Sequence, residues 1–393
     1  MRKLVLVILT AAMAPAAIAA PAPQHPDRRP HYRITILPSI GGTNSRANST
    51  DDVGVVAGYS KPAGDAVRHA TVWFLDQSLD LGTLGGTAFN STVAWPVKNN
   101  VGFISGISET GAVNPLHETW SCGPFFATSG NVCYGFVKSL WGGSMQPLLP
   151  LGGGINSYAT GTNDFGVTAG WAENGVHDST CNLYGDSDQV LQFLPVTWRF
   201  GASRPQALAL LRGDSSGAAT AINDRGQIVG ISGDCDQAVG RATARHAVMW
   251  QNGRVVDLGN IGGDLWNTPG AINERGDVAG FAATEMDDVA ADTTHAFRKL
   301  FNRPMQDLGV LPGDVSSTGT GINLSGQVVG YSVGATTRAF LWKDGTMYDL
   351  ADLAPEFHGQ LVLANDIDDF GRIAGRGVDP VTHETVAFVA IPD

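Results

Sequence analysis

Apolar positions in this chain come in short runs, broken by clusters of Gly, Asn, Asp and Pro, which is the pattern of short strands joined by tight turns. One eight-residue unit organises the rest: Asn or Asp, two residues of any kind, Gly, any residue, an apolar residue or Thr, any residue, Gly. It occurs seven times, at 51–58, 99–106, 163–170, 223–230, 273–280, 323–330 and 368–375. The first glycines of successive copies are 45 to 64 residues apart, a period that points to a propeller or a solenoid. The opening Asn or Asp can bond its own backbone two residues on. The first Gly supplies the positive φ of a bulged hairpin loop, and pairs such as Ile228-Val229 begin a strand. The second Gly is expected to end that strand or to let another backbone come close.

Each repeat then reads as four strands. An apolar stretch such as Ala219 to Ile222 enters the turn, and a second strand leaves it. A third follows, whose fullest form is His-Ala-apolar-any-Trp, at 69–73, 134–138, 194–198, 246–250, 295–299, 338–342 and 386–390. The fourth ends in Asp-Leu-Gly or a variant, as at Asp80-Leu81-Gly82, Asp257-Leu258-Gly259 and Asp307-Leu308-Gly309, and a Gly-rich link leads on. The last repeat stops at Asp393 without a fourth strand, while Tyr32 to Leu37 stands where a fourth strand belongs with no repeat before it. The fold class expected is therefore all-β: a seven-bladed β-propeller, four strands per blade, with the N-terminal strand completing the last blade. Such closure leaves no exposed strand edge. A β-helix would show shorter, more uniform coils.

The Asp-Leu-Gly-any-Leu-Gly-Gly, Ala-Ile-Asn-Asp-any-Gly-any-Val-any-Gly and His-Ala-Phe-any-Trp pieces resemble those of the bacterial extracellular HAF-repeat proteins, over about residues 31 to 393. The eponymous His-Ala-Phe stands complete only at His295-Ala296-Phe297. His is absent from four of the seven copies, so it cannot be an obligatory ligand in every repeat. The resemblance implies an extracellular location and a repeat, and no reaction.

Composition narrows the compartment and the partners. Residues 1–19 read as a secretory signal, with Arg2 and Lys3, an apolar run from Leu4 and an Ala17-Ile18-Ala19 cleavage site. Residues 20–30 read as a proline-rich tether, and 31–393 as one domain. No later segment reaches the ~20 apolar residues of a membrane span. The chain has 50 Gly, 20 Pro and 16% charged residues, a turn-rich β composition. Its net charge is −12, and removing Arg2 and Lys3 with the leader makes it −14, which argues against nucleic acid as a partner. Four cysteines in a secreted chain suggest two disulfides. The expected pairs are Cys122–Cys133, within one insertion, and Cys181–Cys235, between neighbouring insertions.

Strands alternate in direction, so the Asn-Asp-any-Gly turns share one face and the loops before the third strand share the other. The loops on that second face vary most, with 27 residues in repeat two (107–133), 23 in repeat three (171–193) and seven in repeat six. Long loops on a rigid scaffold commonly carry function. The candidate ligand-binding residues are His117, Glu118 and Trp120 in repeat two, and Trp171, Glu173, His177, Asp178, Tyr184, Asp186 and Asp188 in repeat three. Asp234, Asp236, Glu285, Asp287 and Asp288 would extend an acidic rim. Acidic groups with aromatics suit a glycan, and paired carboxylates could cleave a glycosidic bond if roughly 5 to 9.5 Å apart. Deleting 107–133 should then abolish binding and spare the fold.

No cofactor and no metal centre is implied, although Asp186-Ser187-Asp188 and Asp287-Asp288 could hold calcium. The recurrent His69, His246 and His295 read as structural hydrogen-bonding groups, and Gly213 to Gly217 matches a nucleophile elbow only formally. The reading is a secreted, monomeric binding module for a glycan or an extracellular protein. The alternatives are a polysaccharide hydrolase or lyase on the same scaffold, or a structural cell-envelope module.

Overall fold

The structure, a computed structural model, describes residues 29–118, 122, 126, 129–183, 188–235, 242–290 and 293–393. Residues 1–28, where the leader and most of the tether are expected, lie outside these residues. His31–Asp393 forms one compact unit. Among the described residues it is all-β, apart from a single four-residue helix, Leu350–Leu353. The fold is β-propeller-like. Five sheets have four strands each, ordered as the chain runs, and an eight-stranded sheet combines the strands of the first and last repeats. In the ladder those two halves are joined by one parallel pair, Asn44 with Thr385.

All seven third strands form where the His-Ala pattern placed them: His69–Phe74, Asn131–Ser139, Leu191–Arg199, His246–Gln251, Thr294–Lys299, Thr337–Lys343 and Thr385–Pro392. Two repeats are irregular. The first strand of repeat two is only Ser91–Thr92, and the fourth strand of repeat three only Gln206–Ala207. The N-terminal strand, Tyr32–Ile36, runs antiparallel to Thr385–Pro392, pairing Tyr32 with Pro392 and Ile36 with Phe388. Leu37 N extends the ladder to the Ala387 carbonyl at 2.9 Å.

The two template glycines have different duties. The first takes positive φ in every copy, from 70° at Gly166 and Gly226 to 94° at Gly54. The second lies inside its strand, and the strand runs on past it, as in Ile228–Gly233. Of the two roles expected for it, close approach is the one it plays. A Cβ on Gly230 would sit 2.0 Å from the Ala218 carbonyl oxygen, and one on Gly170 1.9 Å from that of Tyr158. Opposite this contact the first strand bulges, between Ala219 and Ala221 in repeat four and at the matching place in five other repeats.

The recurrent Trp has a reason the strand pattern did not supply. Its indole N–H reaches back to a carbonyl in the link before its own repeat: Trp73 to Pro38, Trp198 to Leu149 and Trp250 to Ala209, at 2.6 to 3.0 Å. Buried indole N–H groups need such partners.

Neighbouring repeats are stitched together by the leading Asn of the turn. Its Oδ1 accepts local backbone N–H groups, as Asn163 does from Phe165 and Val167. Its amide nitrogen then donates to the next repeat: Asn163 to the Asn223 carbonyl, Asn223 to Asn273, Asn273 to Asn323 and Asn323 to Asp368, at 2.9 to 3.1 Å. In repeat seven the leading residue is Asp368, which has no amide to give. There the Arg372 guanidinium, paired with Asp368, donates to the carbonyls of Asp51 and Asp52 instead. The stitching therefore runs from the last repeat onto the first.

Candidate functional site

The repeat-two insertion is built into the core. Strands Phe103–Val113 and Asn131–Ser139 extend into it. Ile107, Cys122, Phe126 and Cys133 are buried in one cluster with Tyr158, Trp171, Phe193, Cys181 and Cys235. Deleting 107–133 would open that cluster, so the expectation that the fold survives the deletion does not hold. Both disulfides form as expected, Cys122–Cys133 and Cys181–Cys235, and no cysteine is free.

Three of the candidate residues lie inside this core. Trp171 is stacked on Tyr158, ring centroids 4.1 Å apart and planes 8° from parallel, and offers no face to solvent. Glu173 is fully buried and Glu118 is 2% exposed. Glu118 Oε1 accepts the backbone N–H of Leu191 at 2.7 Å and of Val190 at 3.0 Å, which docks the repeat-two insertion on repeat three. Glu173 accepts from Ile155 N, Asn156 N, Asn156 Nδ2 and Gln189 Nε2 at 2.8 to 3.1 Å. The same Gln189 amide nitrogen is 3.4 Å from Glu118 Oε1 and so bridges the two carboxyls. Burial, and then the adjacent Glu118 charge, push Glu173 up to about 7; burial also raises Glu118. The second oxygen of Glu118 has no protein partner. The pair resembles the carboxylates of a hydrolase in type, but it is sealed from any oligosaccharide.

The solvent-facing candidates gather beside it. An open hollow of about 590 Å³ is lined by His177, Asp178, Asn182 and Asp188, and by the buried Cys181 and Gln189. Asp178 Oδ1 accepts from Thr180 N and Oγ1 at 2.9 and 2.8 Å, and Thr180 Oγ1 in turn accepts from Cys235 N at 2.9 Å. Burial raises the Asp178 carboxyl, but hydrogen bonds from Ser215 and Thr180 outweigh it and hold the group below the usual range. His117 is exposed, with φ 59°. Trp120, Tyr184, Asp186 and Asp236 lie outside the described residues.

The remaining acidic candidates are divided among other tasks. Asp234 pairs with Arg245 Nε at 2.7 Å. The Asp288 carboxylate closes its own loop by accepting Thr293 N and Oγ1, and Glu285 and Asp287 are exposed. Among the described residues the one cluster with metal-ligand spacing is Asp178, Cys181 and Cys235, whose sulfurs are joined to each other and offer no thiolate. Ser216 opens a buried strand, Ser216–Ile222, so the formal elbow is no strand-to-helix turn.

The repeated histidines are structural. His69 Nδ1 meets Asp80 of the Asp-Leu-Gly strand at 2.8 Å, and His295 Nδ1 meets Asp307 at 2.9 Å. His246 turns to Asp214 in the preceding link at 3.0 Å. In repeat six Arg338 replaces His and reaches both kinds of partner, Asp349 at 3.1 Å and Asp314 at 2.9 Å. His69 and His295 thus pair with the Asp of their own Asp-Leu-Gly strand, across neighbouring strands, whereas His246 does not.

A second arrangement, not anticipated from the sequence, surrounds the centre of the turn face. The second residue of each turn donates its backbone N–H to the side chain at the same position of the next repeat. Asp52 donates to Asn100, Asn100 to Asp164, Asp164 to Asp224 and Asp224 to Glu274; Leu324 donates to Asp369 and Asp369 to Asp52, at 2.7 to 3.1 Å. The ring is interrupted only where Leu324 offers no acceptor to Glu274. Asp52, Asn100, Asp224, Glu274, Leu324 and Asp369 line a cavity of about 60 Å³. Beneath them Lys98 pairs with the fully buried Asp366 at 2.6 Å. The signal for this ring was the acidic or amide residue at the second turn position in six of seven repeats.

No protein-family model matches the chain, and no curated protein matches it by sequence. Among solved structures it is similar to a puromycin-hydrolyzing peptidase of Mycobacterium tuberculosis, at 10% identity and a TM-score of 0.49, over 91% of this chain and 56% of that one. It is also similar to an oligogalacturonate lyase from Vibrio parahaemolyticus, at 8% identity and a TM-score of 0.43, over 92% and 97% of the two chains. A PQQ-bound aldose sugar dehydrogenase from Streptomyces coelicolor gives 11% identity and a TM-score of 0.36, over 93% and 99%.

Proposed function

We propose that this chain is a secreted, seven-bladed β-propeller whose insertion face binds a glycan or an extracellular protein. The carrying observation is the hollow lined by His177, Asp178, Asn182 and Asp188, held by the Cys181–Cys235 disulfide across two repeats. Exposed imidazole, carboxylate and amide groups on a rigid rim suit a polyhydroxylated or polar ligand. The burial of Glu118 and Glu173 favours binding over hydrolysis by that pair, because a carboxyl that no substrate can reach does not transfer a proton to it. The resemblance to HAF-repeat proteins and the two disulfides support an extracytoplasmic location. Calcium remains an ion that the exposed Asp188 could help to hold.

A glycan array with the mature protein tests this reading, followed by titration of any hit against His177→Ala/Asp188→Ala. Binding lost in the double variant supports the hollow as the site. Binding retained there moves the site elsewhere, and turnover of the glycan would favour the hydrolase or lyase reading.

A further inference from the structure

The turn face carries a second surface. The residue after each ring position is exposed, and in four consecutive repeats it is apolar: Phe370, Val53, Val101 and Phe165. Hydrogen bonds from Asp369 to Asp52, Asp52 to Asn100 and Asn100 to Asp164 place these four turns side by side. The patch is therefore continuous by register. Trp141 joins it, its indole donating to the Val101 carbonyl at 2.6 Å while 83% of the residue stays exposed. Phe165 and Phe370 are 75% and 68% exposed. The matching positions of repeats four, five and six are Arg225, Arg275 and Ser325, so the patch has a boundary. Clustered exposed aromatics on a soluble protein mark an interaction site more often than isolated ones do.

Charge selects the occupant. The patch borders Asp52, Asp164 and Asp369, and each of these uses Oδ1 to accept the neighbouring N–H. The nearby cations already have carboxylate partners, Lys98 with Asp366 and Arg372 with Asp368, although the Arg372 guanidinium also lies 5.5 Å over the Phe370 ring. Arg225 stands on the opposite half, against the carbonyls of Glu274 and Arg275. A second copy would set acidic ring against acidic ring, and the chain as a whole is acidic.

We propose that this half of the turn face docks a polypeptide segment carrying Lys or Arg between apolar side chains, the cations meeting the carboxylate ring and the apolar groups meeting Phe165, Phe370 and Trp141. This surface is separate from the insertion-face hollow, and it stands or falls independently of it.

The test uses a fluorescein-labelled 16-residue peptide alternating Lys-rich and Leu/Trp-rich positions, and a Glu-for-Lys version of it, read by fluorescence anisotropy. Three variants of the mature protein are compared with wild type: Phe165→Ser/Phe370→Ser, Asp52→Asn/Asp164→Asn/Asp369→Asn, and His177→Ala/Asp188→Ala. Asn keeps the Oδ1 acceptor, as Asn100 already does in repeat two, so the ring persists; thermal melts confirm folding. The expected result is binding of the Lys peptide only, weakened about tenfold in each of the first two variants and unchanged in the third, with most of it lost in 0.5 M NaCl as screening predicts. No binding to wild type would overturn the proposal. So would equal binding to all variants, which would show non-specific charge attraction, or a loss confined to the His177/Asp188 variant.

Discussion

Lys98 and Asp366, 268 positions apart in the chain, meet at 2.6 Å beneath the turn-face ring, joining repeat two to repeat seven. Asp366 also accepts Thr50 N at 2.9 Å, and Lys98 donates to the Ile367 carbonyl at 2.6 Å. Burial pushes Asp366 up to about 6 in spite of the lysine. Removing one member of such a pair leaves a buried charge uncompensated. Lys98→Met should therefore cost about 3 kcal/mol, read by urea denaturation at pH 7, and the cost should shrink at pH 5, where Asp366 can protonate. A variant as stable as wild type at pH 7 would show that water replaces the ammonium.

Glu173 sets a pH dependence. Its folded value of about 7 lies above its ordinary 4.5, so the native state holds a proton that the unfolded chain has released. Stability from this group is full below about 4.5, declines as pH rises through 7, and is flat above that. Glu118→Gln keeps the Oε1 acceptor for Val190 and Leu191 and removes the facing charge. The variant should show a shallower fall in melting temperature between pH 5 and 7, and at pH 8 a gain on the order of 1 kcal/mol. An unaltered slope would mean that burial alone raises Glu173.

The histidine pairs should be replaceable by the solution that repeat six already uses. His295→Ala should cost about 1 kcal/mol, the worth of a partly buried hydrogen bond. His295→Arg should recover most of it by reaching Asp307 as Arg338 reaches Asp349. Failure of the arginine to rescue would show that the ring packing of His295, and not its bond, is what counts. Differential scanning calorimetry separates the two outcomes.

The asparagine stitching gives a fourth expectation. Asn223→Asp removes the donor to the Asn273 carbonyl and sets an anion against it. A loss of about 1–3 kcal/mol is expected. Leu324→Asn is the converse: it supplies the missing acceptor for Glu274 N and should stabilise by a few tenths to about 1 kcal/mol. Chemical denaturation of both variants checks the pair, and a destabilised Leu324→Asn would indicate that the leucine packs where the amide would have to lie.

Most of the strand framework was legible because its causes are local. Positive φ at the first template glycine, the apolar runs of the third strands and the Tyr32 to Leu37 segment with no repeat before it can all be read along a few residues. The second glycine was only half legible: the close approach could be foreseen, but the bulge opposite it belongs to another strand. The ring of Asp52, Asn100, Asp164, Asp224 and Glu274 was hidden for a similar reason. Each bond joins positions 48 to 64 apart, and a turn Asp looks the same whether it faces water or a neighbour. The insertion-face residues misled most. Trp171, Glu118 and Glu173 fell in long, variable loops, and loop membership implied exposure. In the structure the two disulfides and the Tyr158–Trp171 stack turn these loops into a core of their own, leaving His117, His177, Asp178 and Asp188 as the parts that meet solvent.

The pairing of Tyr32–Ile36 with Thr385–Pro392 has a consequence in time as well as in space. Among the described residues the first strand of the domain has a single sheet partner, and that partner is the domain's last strand. Every intermediate length of chain must wait with that edge unsatisfied, however many of its inner repeats have already folded. Cooperative completion is thus tied to the arrival of Thr385–Pro392, and a cut just after Phe388 would remove the partners of Tyr32 to Thr35 at once.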